Sequence, residues 1–220
     1  MPLYSAAPAF GSQEWGRTRD CVVEVLGELA QVKVPAVLRQ MTVLDEERPF
    51  RPAGVSWTYA LTGLVNRRVE RFGDGLRRVV DDFDAKIAKL LVLLSAIKEP
   101  DDRLVHGDVT AGNILVDEEL RPVTLLDFGM LTMPGDPAFD AAAAGSLNEL
   151  WSPRVREVEA AFDEAMVSRL GYDAEQLALY RCIHSLLIGN AHDEDPYERD
   201  SGVLLVGPLF NSPAVVALLG

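Results

Sequence analysis

The chain has 220 residues, 48% hydrophobic and 25% charged, enough to bury one sizeable core and right for a single domain or one lobe of a larger enzyme. A net charge of −13 argues against a nucleic-acid partner, because a phosphate backbone is bound by clustered Lys and Arg. No apolar run of about 18 residues is present, so no membrane span is expected.

The N-terminal MPLYSAAPAF has no basic region followed by an apolar one and does not read as a signal peptide. Cys21 and Cys182 each fall in an apolar helical pattern, so both read as buried free thiols of a reducing, cytoplasmic setting. Ser12 can cap a helix running to about Val32 with Val22, Val25, Leu26 and Leu29 on its apolar stripe. Residues 42–55 read as a loop. Ser56 opens a second helix with Leu61, Leu64, Val65 and Val69 on one face, and Gly73 and Gly75 are expected to end it. Residues 76–98 carry the strongest helical signal, since Val79, Phe83, Ile87, Leu90, Leu94 and Ile97 recur at steps of three and four. Ile114–Val116 and Val123–Leu126 are short β-like runs joined by the turn DEELRP, which predicts a hairpin.

Beyond Gly129 the chain turns helical again. Ser152-Pro153 predicts a cap with proline in the first helical position, and Gly171 a left-handed stop. Asp173 with Gln176 resembles a capping box for a helix with Leu177, Tyr180, His184, Leu187 and Ile188 inside. Ser212-Pro213 starts a last short helix. The expected fold is therefore mainly α, roughly seven helices around one small β-hairpin.

The informative segment is LVHGDVTAGNILVDEELRPVTLLDFGM, residues 104–130. Asp108, Asn113 and Asp127 stand at loop positions between apolar runs. A hairpin sets the start of its first strand beside the end of its second, so Asn113 and Asp127 should meet although fourteen positions separate them. Two carboxylates and an amide oxygen then converge at one mouth, a hard-oxygen set suited to Mg²⁺. Phosphoryl transfer uses such groups, a metal on the phosphate oxygens and a carboxylate that orients the acceptor hydroxyl and takes its proton. Gly112 and Gly129 flank two of these residues, where glycine permits a sharp bend close to a ligand.

HGDVTAGNILVD followed by VTLLDFG resembles the catalytic core of the aminoglycoside phosphotransferase and choline kinase-like family, relatives of protein kinases. The stretch PGDPAFDAA, residues 134–142, is similar to a segment that follows the metal-binding aspartate in that family. The resemblance is motif-specific over 104–142. It implies a protein-kinase-like C-terminal lobe (α+β), with ATP or GTP and Mg²⁺ as cofactors. It implies Asp108 as catalytic base, and Asn113 and Asp127 as metal and nucleotide ligands. His106, Gly107, Gly112, Phe128 and Gly129 are the supporting loop residues, His106 as a packing histidine. Asp136 and Asp140 would cap the following helix or brace the loop.

In domain terms, 1–220 reads as one kinase-like C-lobe: a helical part (1–100), the catalytic loop and hairpin (101–135) and C-terminal helices (136–220). The family's N-terminal lobe, a small sheet with a nucleotide-covering loop and a phosphate-holding lysine, has no counterpart here. No Gly-rich loop follows a strand, and Lys33 and Lys86 fall in or at the end of helical patterns. A fragment, a split kinase whose lobe comes from a separate protein subunit, and a chain that has lost activity all stay open. The leading function is ATP-dependent phosphorylation of a hydroxyl on an aminoglycoside, sugar or amino alcohol. The alternatives are a non-catalytic pseudokinase-like binding subunit and a kinase-like component of a peptide-modifying complex. The acidic stretch 192–200, with Asp193, Glu194 and Asp195, reads as a solvated loop or as an attractor for a cationic acceptor. His184 and His192 lack partners at metal spacing.

Overall fold

The computed structural model describes residues 2–3, 10–149, 152–189 and 205–220. The acidic candidates Asp193, Glu194 and Asp195, and His192, lie outside the described residues.

Helix α1 (Gln13–Leu29) is capped by Ser12, whose hydroxyl accepts the Trp15 N–H at 3.1 Å, and it buries Cys21, Val22, Val25, Leu26 and Leu29. After a 3₁₀ turn at Ala36–Gln40 and a loop, Ser56 caps α2 (Trp57–Leu76) through the Tyr59 N–H. Gly73 and Gly75 do not end α2. The helix runs through both because Phe72 and Leu76 are buried, and that packing outweighs the roughly 1 kcal/mol each glycine costs. The long helical pattern at 76–98 is only partly realised, as α3 (Phe83–Ala96). Residues 77–82 form a turn held by Asn211, which donates to the Val79 carbonyl and accepts the Asp81 N–H, both at 3.0 Å. A tertiary contact from the C-terminal end thus overrides the local periodicity.

The small strands form two antiparallel pairs, of which the sequence announced one. Strand β2 (Ile114–Val116) pairs with β3 (Pro122–Leu125) in the expected hairpin, Ile114 opposite Leu125. Its turn is tied by Asp117, whose carboxylate accepts the N–H groups of Glu119 and Arg121. The second pair joins β1 (Arg103–Val105) to β4 (Met133–Gly135), across 27 intervening residues, Val105 to Met133. Together the pairs hold the segment between β1 and β4 as one excursion that begins and ends at the same place.

Behind this excursion lies α4 (Ala138–Asn148), buried from Ala138 to Gly145. Its run of alanines leaves room for α5 (Val155–Ala165) and α6 (Ala174–Ile188) to pack closely against it. Helix α5 begins at Val155 rather than Pro153. Ser152 accepts the Arg154 N–H, and the first helical turn forms just beyond. A π turn at Met166–Leu170 ends at Gly171 in the left-handed region. Asp173 caps α6 through the Gln176 N–H, but the Gln176 amide completes no capping box; it donates to Asp136 instead. A helix at 205–210 (α7) and α8 (Pro213–Leu219) close the chain. The fold is mainly helical with small sheets. Among the described residues no helix is long and apolar enough to cross a membrane.

Candidate active site

Residues 105–113 leave the buried end of β1 and run past α4 to the start of β2. Gly107 has φ +83°, and a Cβ there would lie 2.3 Å from the Leu131 Cβ, so no side chain fits. Gly112 and Gly129 are different: neither takes a left-handed φ, and an added Cβ would meet ordinary contacts at 3.6 and 3.7 Å. The sharp bends of the mouth are at Gly107 and at Asp127, whose φ is +62°. A non-glycine residue held there is uncommon and marks a position over-determined by its surroundings.

His106 organises the mouth from below. Its ring is fully buried. Nδ1 accepts the Asp108 N–H at 3.1 Å, so Nε2 carries the ring proton and donates to the Leu126 carbonyl at 2.8 Å. One imidazole therefore ties the backbone of Asp108 to the residue preceding Asp127. The Leu126 N–H in turn donates to the Asn113 carbonyl at 2.8 Å, one step beyond the β2–β3 ladder. The Asn113 amide closes the arrangement by donating to the Asp108 carbonyl at 2.9 Å and to its carboxylate at 3.1 Å. Asp108, Asn113 and Asp127 thus gather around one small frame of bonds. The Asp108 and Asp127 side chains are exposed, and the Asp127 carboxylate makes no hydrogen bond among the described residues. Phe128 lies beside His106, ring centroids 4.6 Å apart, and is half exposed.

The loop is gripped from behind. Asp140 in α4 accepts the N–H groups of His106 at 2.8 Å and Gly107 at 2.7 Å. Burial pushes its carboxyl up to about 6, against the lowering effect of those two bonds and of His106; the charge of Asp108 adds to the rise. At the other end of α4, Asn148 accepts the Ala111 N–H at 2.7 Å and donates to the Val109 and Ala144 carbonyls. Asp136 accepts the Ala138 N–H at the start of α4 and bonds to Gln176 and Tyr180, whose hydroxyl takes the Trp57 indole N–H at 2.8 Å. Desolvation raises the Asp136 carboxyl, and burial together with that carboxylate raises the Tyr180 phenol. Asp136 and Asp140 are both buried. Lys86 is buried on α3 and donates to the Phe210 carbonyl at 2.9 Å, so it serves packing far from the motif. Cys21 and Cys182 are buried free thiols, pushed up to about 11 and about 12 by desolvation.

Residues 16–180 match the family described as the phosphotransferase enzyme family. The chain belongs to the phosphotransferase enzyme family. No curated protein sequence matches the chain. Among solved structures, a thermostable mutant of aminoglycoside phosphotransferase APH(4)-Ia, in ternary complex with AMP-PNP and hygromycin B, is similar at TM-score 0.59 and 17% identity. That match covers 89% of this chain and 64% of the other. A choline/ethanolamine kinase family protein from Mesorhizobium loti is similar at TM-score 0.56 and 15% identity, covering 92% of this chain and 64% of the other. At such identities the likeness shows the shared kinase-like fold. The chain spans less than two thirds of the length of these two structures.

Several contacts had no signature in the sequence. His184 stands out only as a polar residue on an otherwise apolar helix face, and Asn148 not at all. The β1–β4 pair is too short to show a period. For a metal ion, the donors present are the two carboxylates and the Asn113 Oδ1, whose amide nitrogen is already turned to Asp108. No group of three His, Cys, Asp or Glu side chains converges among the described residues. The set fits Mg²⁺, which takes few protein oxygens and completes its shell with water and phosphate, and does not fit a closed structural site.

Proposed function

We propose that this phosphotransferase-family chain carries the catalytic centre for ATP-dependent phosphorylation of a hydroxyl on a small molecule. The acceptor is an aminoglycoside, a sugar or an amino alcohol, and the setting is cytoplasmic. The observation that supports this most is the frame joining Asp108, Asn113 and Asp127 through His106, with both carboxylates left open to solvent. Asp127 and Asn113 would hold Mg²⁺, which neutralises charge on the transferring phosphate oxygens. Asp108 would orient the acceptor hydroxyl and take its proton as the new oxygen–phosphorus bond forms and the bond from the γ-phosphorus to the bridging oxygen breaks, with ADP as the leaving group. His106 keeps the Asp108 backbone fixed while this happens, and its Nε2–H goes on donating to the Leu126 carbonyl.

The mouth is incomplete for nucleotide binding. Val123, Leu126, Phe128 and Met130 are all at least 40% exposed around it, and the similar structures are about half as long again as the matched portion. These facts support a nucleotide-covering lobe that seats on this apolar rim, supplied by a preceding segment or by a separate protein subunit. The same rim favours a second reading, a non-catalytic binding half that works only inside a complex.

Calorimetric titration with ATP and Mg²⁺, followed by ATP-consumption assays over cationic sugars and amino alcohols, separates the two. The catalytic reading expects turnover that Asp108→Ala abolishes. Turnover surviving Asp108→Ala would remove the catalytic assignment, and neither heat nor turnover, even with the covering lobe added, would favour the binding half.

A further inference from the structure

His184 does work that the family motif does not assign. It lies on α6, 2% exposed, in a stripe that otherwise buries Leu177, Tyr180 and Leu187. Its Nε2 donates to the Gly107 carbonyl at 2.9 Å, and its ring lies 5.5 Å from Phe139. Burial holds the imidazole pKa below its usual value, although the Gly107 carbonyl and Asp108 both pull the other way. The neutral ring has one N–H, and it is spent on Gly107.

The consequence is geometric. The peptide unit between Gly107 and Asp108 has two polar groups. Its C=O is taken by His184, and its N–H is taken by His106 Nδ1. The preceding unit donates its N–H to Asp140. A peptide plane fixed at both ends by two imidazoles cannot rotate, and that plane sets where the Asp108 side chain departs. Gly107 itself offers no resistance to rotation, because its left-handed φ and missing Cβ make it the softest joint of the loop.

We infer that His184 is a positioning residue: it orients the Asp108 carboxylate by clamping the Gly107 carbonyl from α6. For its meaning in catalysis this rests on the phosphotransferase reading above; for the clamp itself it rests on the contact alone. His184 also borders a small cavity of about 40 Å³ lined in part by Ser146, Glu159, Arg181 and Ser185.

The test compares full-length His184→Leu and His184→Gln with wild type. Glutamine carries an amide N–H of similar reach; leucine fills the space and leaves the carbonyl unpaired. In His184→Leu, deuterium exchange in the 104–116 segment is expected to rise about tenfold or more with the other helices unchanged. Its kcat should fall about 10- to 100-fold, the size of a small misplacement of a reacting group, while the nucleotide KM moves less than about twofold. His184→Gln should restore both readings to within about threefold. Unchanged loop exchange in His184→Leu, or equal impairment of the two variants, would overturn the clamp and leave His184 a packing residue. If His184→Leu does not fold, His184→Gln decides alone: wild-type loop protection supports the clamp and lost protection overturns it. If the wild type turns over no acceptor even with the covering lobe added, the exchange comparison still decides the clamp, while the phosphotransferase reading falls.

Discussion

Two sides of one mouth are built in opposite ways. Residues 105–111 are held from behind by side chains of α4 and α6, with Asp140, Asn148 and His184 each spent on loop backbone. Residues 126–130 are exposed throughout, and the Asp127 carboxylate, at a left-handed φ, has no hydrogen bond among the described residues. The first side keeps a geometry; the second is open to solvent. Buried polar groups are costly unless paired, so a helix interior presents Asp or His only where a partner is guaranteed. Asp127, with no hydrogen bond to its carboxylate among the described residues and a left-handed φ, is the exception on the open side.

The sharpest way to break this contrast is to remove one group from each side. Asp127→Ala should lower phosphotransfer about 10³-fold or more, as loss of a principal charge-stabilising ligand does. Its thermal midpoint, followed by scanning calorimetry, should stay within about 2 °C, because an exposed side chain with no bond is lost. Retention of more than a tenth of the turnover would mean the open side is not a ligand site. On the other side, Asp140→Ala should cost about 3 kcal/mol in urea unfolding, since the buried N–H groups of His106 and Gly107 lose their acceptor. A loss under about 1 kcal/mol would show that the loop holds itself.

The pH dependence sharpens the same point. Asp140 has a folded value of about 6, above the unfolded value of about 3.9, so the native state binds the proton more tightly. Its contribution is fully present below pH 4 and is lost as pH rises to about 6, a fall of about 2–3 kcal/mol. Unfolding free energies at pH 4 and pH 7 should differ less in Asp140→Asn than in wild type, and an unchanged difference would assign the slope elsewhere. The smallest effect is expected at Phe128→Ser, within about 0.5 kcal/mol of wild type for the half-exposed ring in the isolated chain. A much larger loss would mean that the rim is already part of the core.

The sequence alone determined the helical character, the β2–β3 hairpin and the three polar residues of the motif. Each is a local matter: a cap beside an apolar stripe, two apolar runs around a turn, a fixed spacing of acids and amide. Tertiary structure decided where helices stop and what holds the loop. Asn211 ends the pattern at 77–82 from more than a hundred residues away, and buried Phe72 and Leu76 carry α2 through two glycines that read as a stop. The glycine that matters sterically is Gly107, because Leu131 occupies the space its side chain would need, and no local rule distinguishes it from Gly112. Asp140, Asn148 and His184 reach the loop only because α4 and α6 pack behind it. A hydrogen bond between residues 77 positions apart, as between His184 and Gly107, leaves no period in the chain; it exists only once the core has brought the two together.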